Sequence, residues 1–319
     1  MQMEIAEIKG IAEAIRGNVE KVIVGKSEEI DFVLTAFLAG GHILLEDVPG
    51  TGKTMLAKSL AASMDMDMKR IQFTPDLLPG DVTGIHYFNQ KEGEFEFRAG
   101  GIFTNILLAD EINRATPRTQ SSLLECMEER QATIDGVTME MPKPFFVIAT
   151  QNPVETSGTF PLPEAQLDRF IMQIPIGYPD REGEREILRR FEGKSPLLEL
   201  KPVCAVEKLQ EMQETCEQVH IDTTVVDYML DMVEKTRNHK NIALGVSPRG
   251  AIAFLKVVKC YSAIHGQTFV TPETVKKLAP YVLGHRIILE DVYSSKKKAV
   301  DYIREIANFT TAPTEDFSK

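Results

Sequence analysis

Two hydrophobic rhythms divide the chain. Up to about residue 175, Arg70-Ile71-Gln72-Phe73 reads as a short strand, and short, almost uninterrupted apolar runs recur at 43–45, 105–109, 145–150 and 171–174. Runs of that length without polar alternation fit strands covered on both faces, the pattern of a parallel sheet between helical layers. Between them the apolar residues fall at helical spacing. Ile5, Ile8, Ile11, Ala12, Ile15 and Val19 predict a helix over 3–21, with Gly17 a candidate early end. Ser27, with Glu28 and Glu29 behind it, reads as the N-cap of a helix reaching Ala39 and closed by Gly40-Gly41. Further helices are predicted from Lys53 to about Met64, over 117–130, and over 162–170. Beyond Asp180 the strand rhythm stops. Helical periodicity takes over at 181–192, 205–218, 222–238, 248–265, 271–284 and 294–307, so the C-terminal third reads as all-α. Lys296-Lys297-Lys298 read as a solvated first helical turn, and the residues from Thr310 lose periodicity.

Two segments alternate instead. His86-Tyr87-Phe88 and Phe95-Glu96-Phe97 flank a polar stretch and predict a hairpin, either an insertion with a partner or an ordinary surface hairpin. Residues 131–141 carry Asp135-Gly136 at their centre and predict a second hairpin.

The first strand leads into the most informative stretch, Leu44-Leu45-Glu46-Asp47-Val48-Pro49-Gly50-Thr51-Gly52-Lys53-Thr54. Strand, glycine turn and helix N-terminus make a cradle for phosphate, lined by backbone N–H groups and the positive end of the helix dipole. Lys53 suits the β- and γ-phosphates, and the Thr54 hydroxyl suits Mg²⁺. Asp47 stands where the full pattern G-x-x-x-x-G-K-[ST] has its first glycine; Asp tolerates left-handed backbone angles better than most residues. The 105–109 run ends in Asp110 and Glu111, two acids at a strand's carboxyl end. The first acid would hold Mg²⁺ or its water shell, and the second would orient the attacking water. Asn152, after the 145–150 run, either positions water beside the γ-phosphate or simply turns the chain before Pro153.

Composition narrows the picture. A net charge of −11 over 319 residues argues against a general affinity for nucleic acid. Cys126, Cys204, Cys216 and Cys260 lie far apart, which predicts buried reduced thiols. No targeting segment and no membrane-spanning run is evident, so the expected location is cytoplasmic, without membrane insertion.

Taken together, LLEDVPGTGKT, LLADEINRA (107–115), IDGVTMEMP (134–142), VIATQNP (147–153), LPEAQLDRF (162–170) and GVSPRG (245–250) resemble, in order, the motifs of the AAA+ ATPases and within them the MoxR family. The resemblance implies an α/β fold: a P-loop NTPase αβα sandwich with a five-stranded parallel sheet (order 5-1-4-3-2) over 1–179, an all-α lid domain over 180–310, and a disordered tail over 311–319. It implies ATP and Mg²⁺ as cofactors, with Val24, Gly25, Pro49, Gly50, Thr51, Gly52, Lys53, Thr54 and Met55 at the nucleotide and Thr54 and Asp110 at the metal. Glu111 becomes the catalytic acid of the second nucleotide-binding motif, Asn152 sensor 1, Arg169 the arginine finger that reaches a neighbouring subunit's ATP, and Arg249 sensor 2, acting within its own subunit or across the interface. Read from the residues alone, either arginine fits a surface ion pair within the chain as well. Arg114 is a further candidate for the interface. The hairpins match the helix-2 insert and the pre-sensor-1 hairpin. The expected partners are copies of the chain in a ring, a hexamer, together with a von Willebrand factor A domain protein and protein clients.

Three functions compete at this point. A ring ATPase that remodels protein clients or assembles metal centres fits the acidic charge. A nucleic-acid motor of the same clade would grip phosphates with the 131–141 hairpin, which carries no lysine or arginine. A nucleotide-gated scaffold without turnover sits badly with Glu111.

Overall fold

The computed structural model describes residues 3–46, 50–152, 158–290 and 298–314. Helices α1 (Ile5–Glu20) and α2 (Ser27–Leu38) lead to β1 (Ile43–Glu46), then α3 (Lys53–Ser63) and β2 (Met68–Gln72). A short helix α4 (Pro79–Thr83) opens into the hairpin β3 (Gly84–Asn89) and β4 (Glu94–Ala99). Strand β5 (Ile106–Asp110) is followed by α5 (Pro117–Glu129), the second hairpin β6 (Gln131–Ile134) and β7 (Val137–Glu140), β8 (Phe146–Gln151), α6 (Glu164–Leu167) and β9 (Met172–Pro175).

One parallel sheet has the order β2-β5-β8-β1-β9. With these five strands numbered among themselves and read from the other edge, that is the expected 5-1-4-3-2. The apolar runs are explained by which way each residue points. Ile43, Leu45, Ile106, Leu108, Phe146 and Ile148 enter one buried cluster, while Leu44, Leu107, Ala109, Val147 and Ala149 enter another. The three inner strands, β5, β8 and β1, are thus covered on both faces, and a polar residue in their middle would lie unsatisfied in one core or the other. Register brings the carboxyl ends together, with Gln72 opposite Asp110 and Glu46 opposite Gln151.

The remaining elements are α7 (Arg181–Arg190), α8 (Val206–Cys216), α9 (Thr223–Arg237), β10 (Ile242–Leu244), α10 (Pro248–Ile264), α11 (Pro272–Leu283), β11 (Ile288–Leu289) and α12 (Ala299–Phe309). The all-α reading of this region needs a correction, because β10 and β11 form a short antiparallel ladder. Strands of three and two residues are too short to show a period in sequence. The helices pack on the N-terminal pair: the Phe32 ring of α2 lies 4.5 Å from Tyr281 and 6.1 Å from Tyr261. One apolar cluster therefore runs from α1 and α2 into α8, α9, α10, α11 and α12.

Local expectations also change. Ser27 does not cap α2; Lys26 holds that position, and the Ser27 hydroxyl donates to Glu20 instead. Gly17 does not end α1, which continues to Glu20. Lys298 is the N-cap of α12 and lies before its first turn, while Lys296 and Lys297 fall outside the described residues. All four cysteines are buried and unbridged, and burial raises the thiol of Cys126 to about 12 and that of Cys204 to about 11. No helix among the described residues is long and apolar enough to cross a membrane.

Candidate active site

The glycine turn explains its own composition. Gly50 and Gly52 adopt φ of +88° and +87°, angles at which any Cβ is strained. Helix α3 starts directly after Gly52 and has no acidic residue in its first turn. Its first N–H groups lack helical acceptors and carry the positive end of the dipole. They open on a cavity of about 280 Å³ lined by Gly50, Thr51, Gly52, Lys53, Thr54 and Met55. The other wall consists of Asp110, Glu111, Asn152, Arg70, Gln72 and Thr150. Backbone N–H groups at a helix start and a lysine, facing paired carboxylates, form a donor set that suits a polyphosphate with a hard cation between the two walls. Thr54 and Asp110 are the residues that would hold that cation.

The acidic wall is tightly organised. Thr150 donates its hydroxyl to Asp110 Oδ1 at 2.6 Å and accepts the Glu111 backbone N–H at 2.8 Å. Arg70 Nη2 lies 2.6 Å from Asp110 Oδ2. Glu111 Oε2 accepts from Gln72 Nε2 at 2.7 Å and pairs with Arg114 Nε at 3.1 Å. Arg114, a candidate for an interface, therefore contacts its own chain's acid. Glu111 also sits at φ +56°, ψ +49°, a left-handed conformation costing a non-glycine residue on the order of 1–3 kcal/mol. Strain of this kind persists where surrounding contacts over-determine it, and here the Thr150 hydroxyl and the β5 register do so.

Val24 and Gly25 do not line this cavity. Their neighbours Ile23 and Lys26 instead form a small pocket against Thr51, Gly52 and Ile176. Pro49 and Asp47 lie outside the described residues. Arg169 and Arg249 are also absent from the cavity wall. They share Glu128 near the end of α5, with Arg169 Nη1 2.9 Å from Oε2 and Arg249 Nη1 2.8 Å from Oε1. Both line a different cleft of about 330 Å³, which also holds Arg130, Asp168, Lys256 and Arg286. The candidates thus separate into two groups, one around the cradle and one around Glu128. The expected insertion hairpin has a neighbour too, since His86 Nδ1 lies 2.8 Å from Asp135 Oδ2 at the turn of the second hairpin.

Known proteins agree with this architecture. Residues 42–172 match the family model of the ATPase family associated with various cellular activities (AAA), and residues 234–306 match the AAA lid domain. The chain is 39% identical to Chaperone MoxR1 of Mycobacterium tuberculosis, over 89% of this chain and 77% of that protein. It belongs to the MoxR family of AAA+ ATPases. Another family relative is the uncharacterised YeaC of Bacillus subtilis, 48% identical over 93% of both chains. A crystal structure from Cytophaga hutchinsonii, provisionally assigned as an ATPase, superposes with a TM-score of 0.90 at 38% identity, covering 97% of each chain.

Sequence reasoning overlooked Arg70, Gln72 and Thr150. The first two lie two residues apart at the carboxyl end of β2, on the same side of the strand, where parallel sheets gather their chemistry. That spacing was a usable signal. Glu128, Asp168 and Arg286 had none, because their partners are distant along the chain.

Proposed function

We propose that this family member is a Mg²⁺-dependent ATPase whose sites are completed between copies in a ring, a hexamer, and that it remodels protein clients in a chaperone-like way. The observation that carries this reading is the separation of the two groups. The cradle has Lys53, Thr54, Asp110, Glu111 and Asn152 but neither Arg169 nor Arg249, which lie together on another cleft of the same chain. Two arginines so placed serve a neighbour's phosphates better than their own, so both act in trans.

The roles follow from chemistry. Lys53 and the N–H groups of 50–55 hold the phosphates, and Met55 closes the start of α3 over them. Val24 and Gly25 belong to the segment beside Thr51 and Gly52, where the base would rest. Mg²⁺, when bound at Thr54 and Asp110, would neutralise charge on the phosphate oxygens. Glu111 orients the attacking water and takes up its proton, while Asn152 fixes that water from the next strand. Arg169 stabilises the charge spread over the equatorial oxygens, a contribution worth roughly 10³ to 10⁵ in turnover when supplied in trans.

Remodelling of protein is favoured over nucleic-acid transport by the hairpins. Phe88 and Phe95 make an edge contact at 5.4 Å and stay exposed, Phe95 by 73%. An apolar tip of this kind suits contact with polypeptide. The second hairpin has Asp135 at its turn and no basic residue, so it offers phosphates no grip. The family resemblance supports a von Willebrand factor A domain protein as partner and the cytoplasm as location.

The test is turnover per chain against protein concentration. It should rise steeply as rings assemble and drop by at least about 10³-fold in Arg169→Ala. Turnover independent of concentration would refute the shared site, and strong stimulation by single-stranded DNA would favour the motor.

A further inference from the structure

Arg286 closes the turn after α11 with its side chain 2% exposed, yet no step proposed above uses it. Its guanidinium is spent on one short segment of the core. Nε donates to Asp168 Oδ1 at 2.7 Å, and Nη2 donates to the carbonyls of Phe170 at 2.8 Å and Asp168 at 3.2 Å. Nη1 donates to the carbonyl of Val282 at 2.7 Å, anchoring the fork to its own helix. The adjacent His285 adds a bond from Nε2 to the Phe170 carbonyl at 2.9 Å. The residue enclosed by these contacts, between Asp168 and Phe170, is Arg169.

The same carboxylate reaches the start of α10. Ser247 Oγ lies 3.5 Å from Asp168 Oδ2 and accepts the N–H of Gly250 at 3.1 Å, which makes it the N-cap of the helix bearing Arg249. At Gly250 an added Cβ would fall 3.0 Å from Arg286 Cδ, so the lid backbone approaches the buried arginine closely. A planar fork with several donors fixes orientation as well as distance, which a lysine cannot do.

We propose that Arg286 is a positioning residue, locking the segment that carries Arg169 to the lid turn and to the start of α10, so that Arg169 and Arg249 are presented to a neighbouring copy as one rigid unit. Being buried, Arg286 touches no nucleotide itself. Lid movement in one copy would then move the arginines serving the next, which couples neighbouring sites without a separate relay. The inference rests on the reading of Arg169 as a residue acting in trans.

Subunit mixing tests it and separates it from that reading. Arg286→Gln alone should lower kcat on the order of 10²-fold, as a small misplacement of a reacting group does, with KM for ATP nearly unchanged. Its own cradle remains intact, so mixing with Glu111→Gln subunits, which carry correctly set arginines, should restore turnover. Arg169→Ala mixed with Glu111→Gln serves as the control and should also recover. Recovery in the control but not with Arg286→Gln would overturn the positioning role and leave the trans arginine standing. Failure of both would overturn the trans arginine and the positioning role with it. If Arg286→Gln does not fold, Asp168→Asn, which keeps the side-chain volume, carries the same test. Arg286→Lys should recover only part of the rate, and full recovery would mean that charge alone suffices and the fork positions nothing.

Discussion

Arg70 and Asp110 form an ion pair across the edge of the sheet, with Nη2 2.6 Å from Oδ2, on the carboxylate that the proposed mechanism gives to Mg²⁺. The other oxygen of Asp110 already accepts the Thr150 hydroxyl. The guanidinium therefore competes with a cation for Oδ2, the oxygen that Thr150 leaves unused. Arg70 is half-exposed and free to swing away, so the competition is mild, within the roughly 0.2–1 kcal/mol typical of exposed pairs. Arg70→Ala should lower the Mg²⁺ concentration giving half-maximal binding of a fluorescent ATP analogue, by up to about fivefold. An unchanged Mg²⁺ requirement would show that the pair opens at no cost.

The cradle and the acidic wall should fail in different ways. Lys53→Ala removes a charge-assisted contact to phosphate and should weaken ATP binding by about 10- to 100-fold. Glu111→Gln keeps the shape of the wall and the positive-φ turn but loses the proton acceptor. It should bind ATP normally, while hydrolysis drops by about 10² to 10⁴. Equilibrium binding and single-turnover hydrolysis on the two variants distinguish these failures. Tight binding by Lys53→Ala would remove the cradle from the mechanism.

Arg169 and Arg249 offer a contrast between stability and activity. Each pairs with Glu128 at a partly exposed position, where such pairs contribute about 0–1 kcal/mol. Because they share one carboxylate, the two losses should not add, and a double-mutant cycle should show coupling between them. Denaturant unfolding of Arg169→Ala, Arg249→Ala and the double variant should thus move stability by no more than about 1 kcal/mol, while turnover collapses. A large loss of stability would instead mark the arginines as structural.

How far the chain could be read in advance depended on the range of each interaction. The inner strands of the sheet were legible because both of their faces are buried, which leaves apolar runs such as Ile43-Leu44-Leu45 with no polar interruption. The cradle was legible because Gly50, Gly52, Lys53 and Thr54 act through backbone geometry within a few residues. Ser27 misled because a serine before two glutamates is good capping chemistry, but its hydroxyl found Glu20 across the turn between helices. The lid clamp was invisible, since Arg286 and Asp168 are 118 residues apart and meet only once the lid has folded back. Nor could sequence say that Arg169 and Arg249 converge on Glu128; that follows from the tertiary fold, which brings two arginines, 41 and 121 positions along the chain from Glu128, to one carboxylate.

The two buried histidines give the fold a defined acid sensitivity. His42 accepts the Val147 N–H on Nδ1 at 2.9 Å, so its Nε2 carries the proton that is donated to the Met127 carbonyl at 3.1 Å. A second proton would displace the Val147 contact, and burial together with nearby Arg130 holds the ring well below its ordinary value. For His285, burial and the neighbouring Arg286 lower the value to about 3, and its Nδ1 has no partner that could accept a hydrogen. Both rings are neutral in the folded chain but bind a proton near pH 6.5 once unfolded. The unfolded state therefore binds more protons below pH 6.5, so stability rises with pH across that window and falls on acidification. Each histidine contributes a slope of about 1.4 kcal/mol per pH unit, beginning just below pH 6.5 and, for His285, continuing toward pH 3. Urea unfolding between pH 7 and 4.5 should show this decline. His285→Gln, whatever its cost at pH 7, should flatten the curve by about one histidine's share. A His285→Gln curve running parallel to that of the unsubstituted chain would mean that His285 takes up its proton in the folded state.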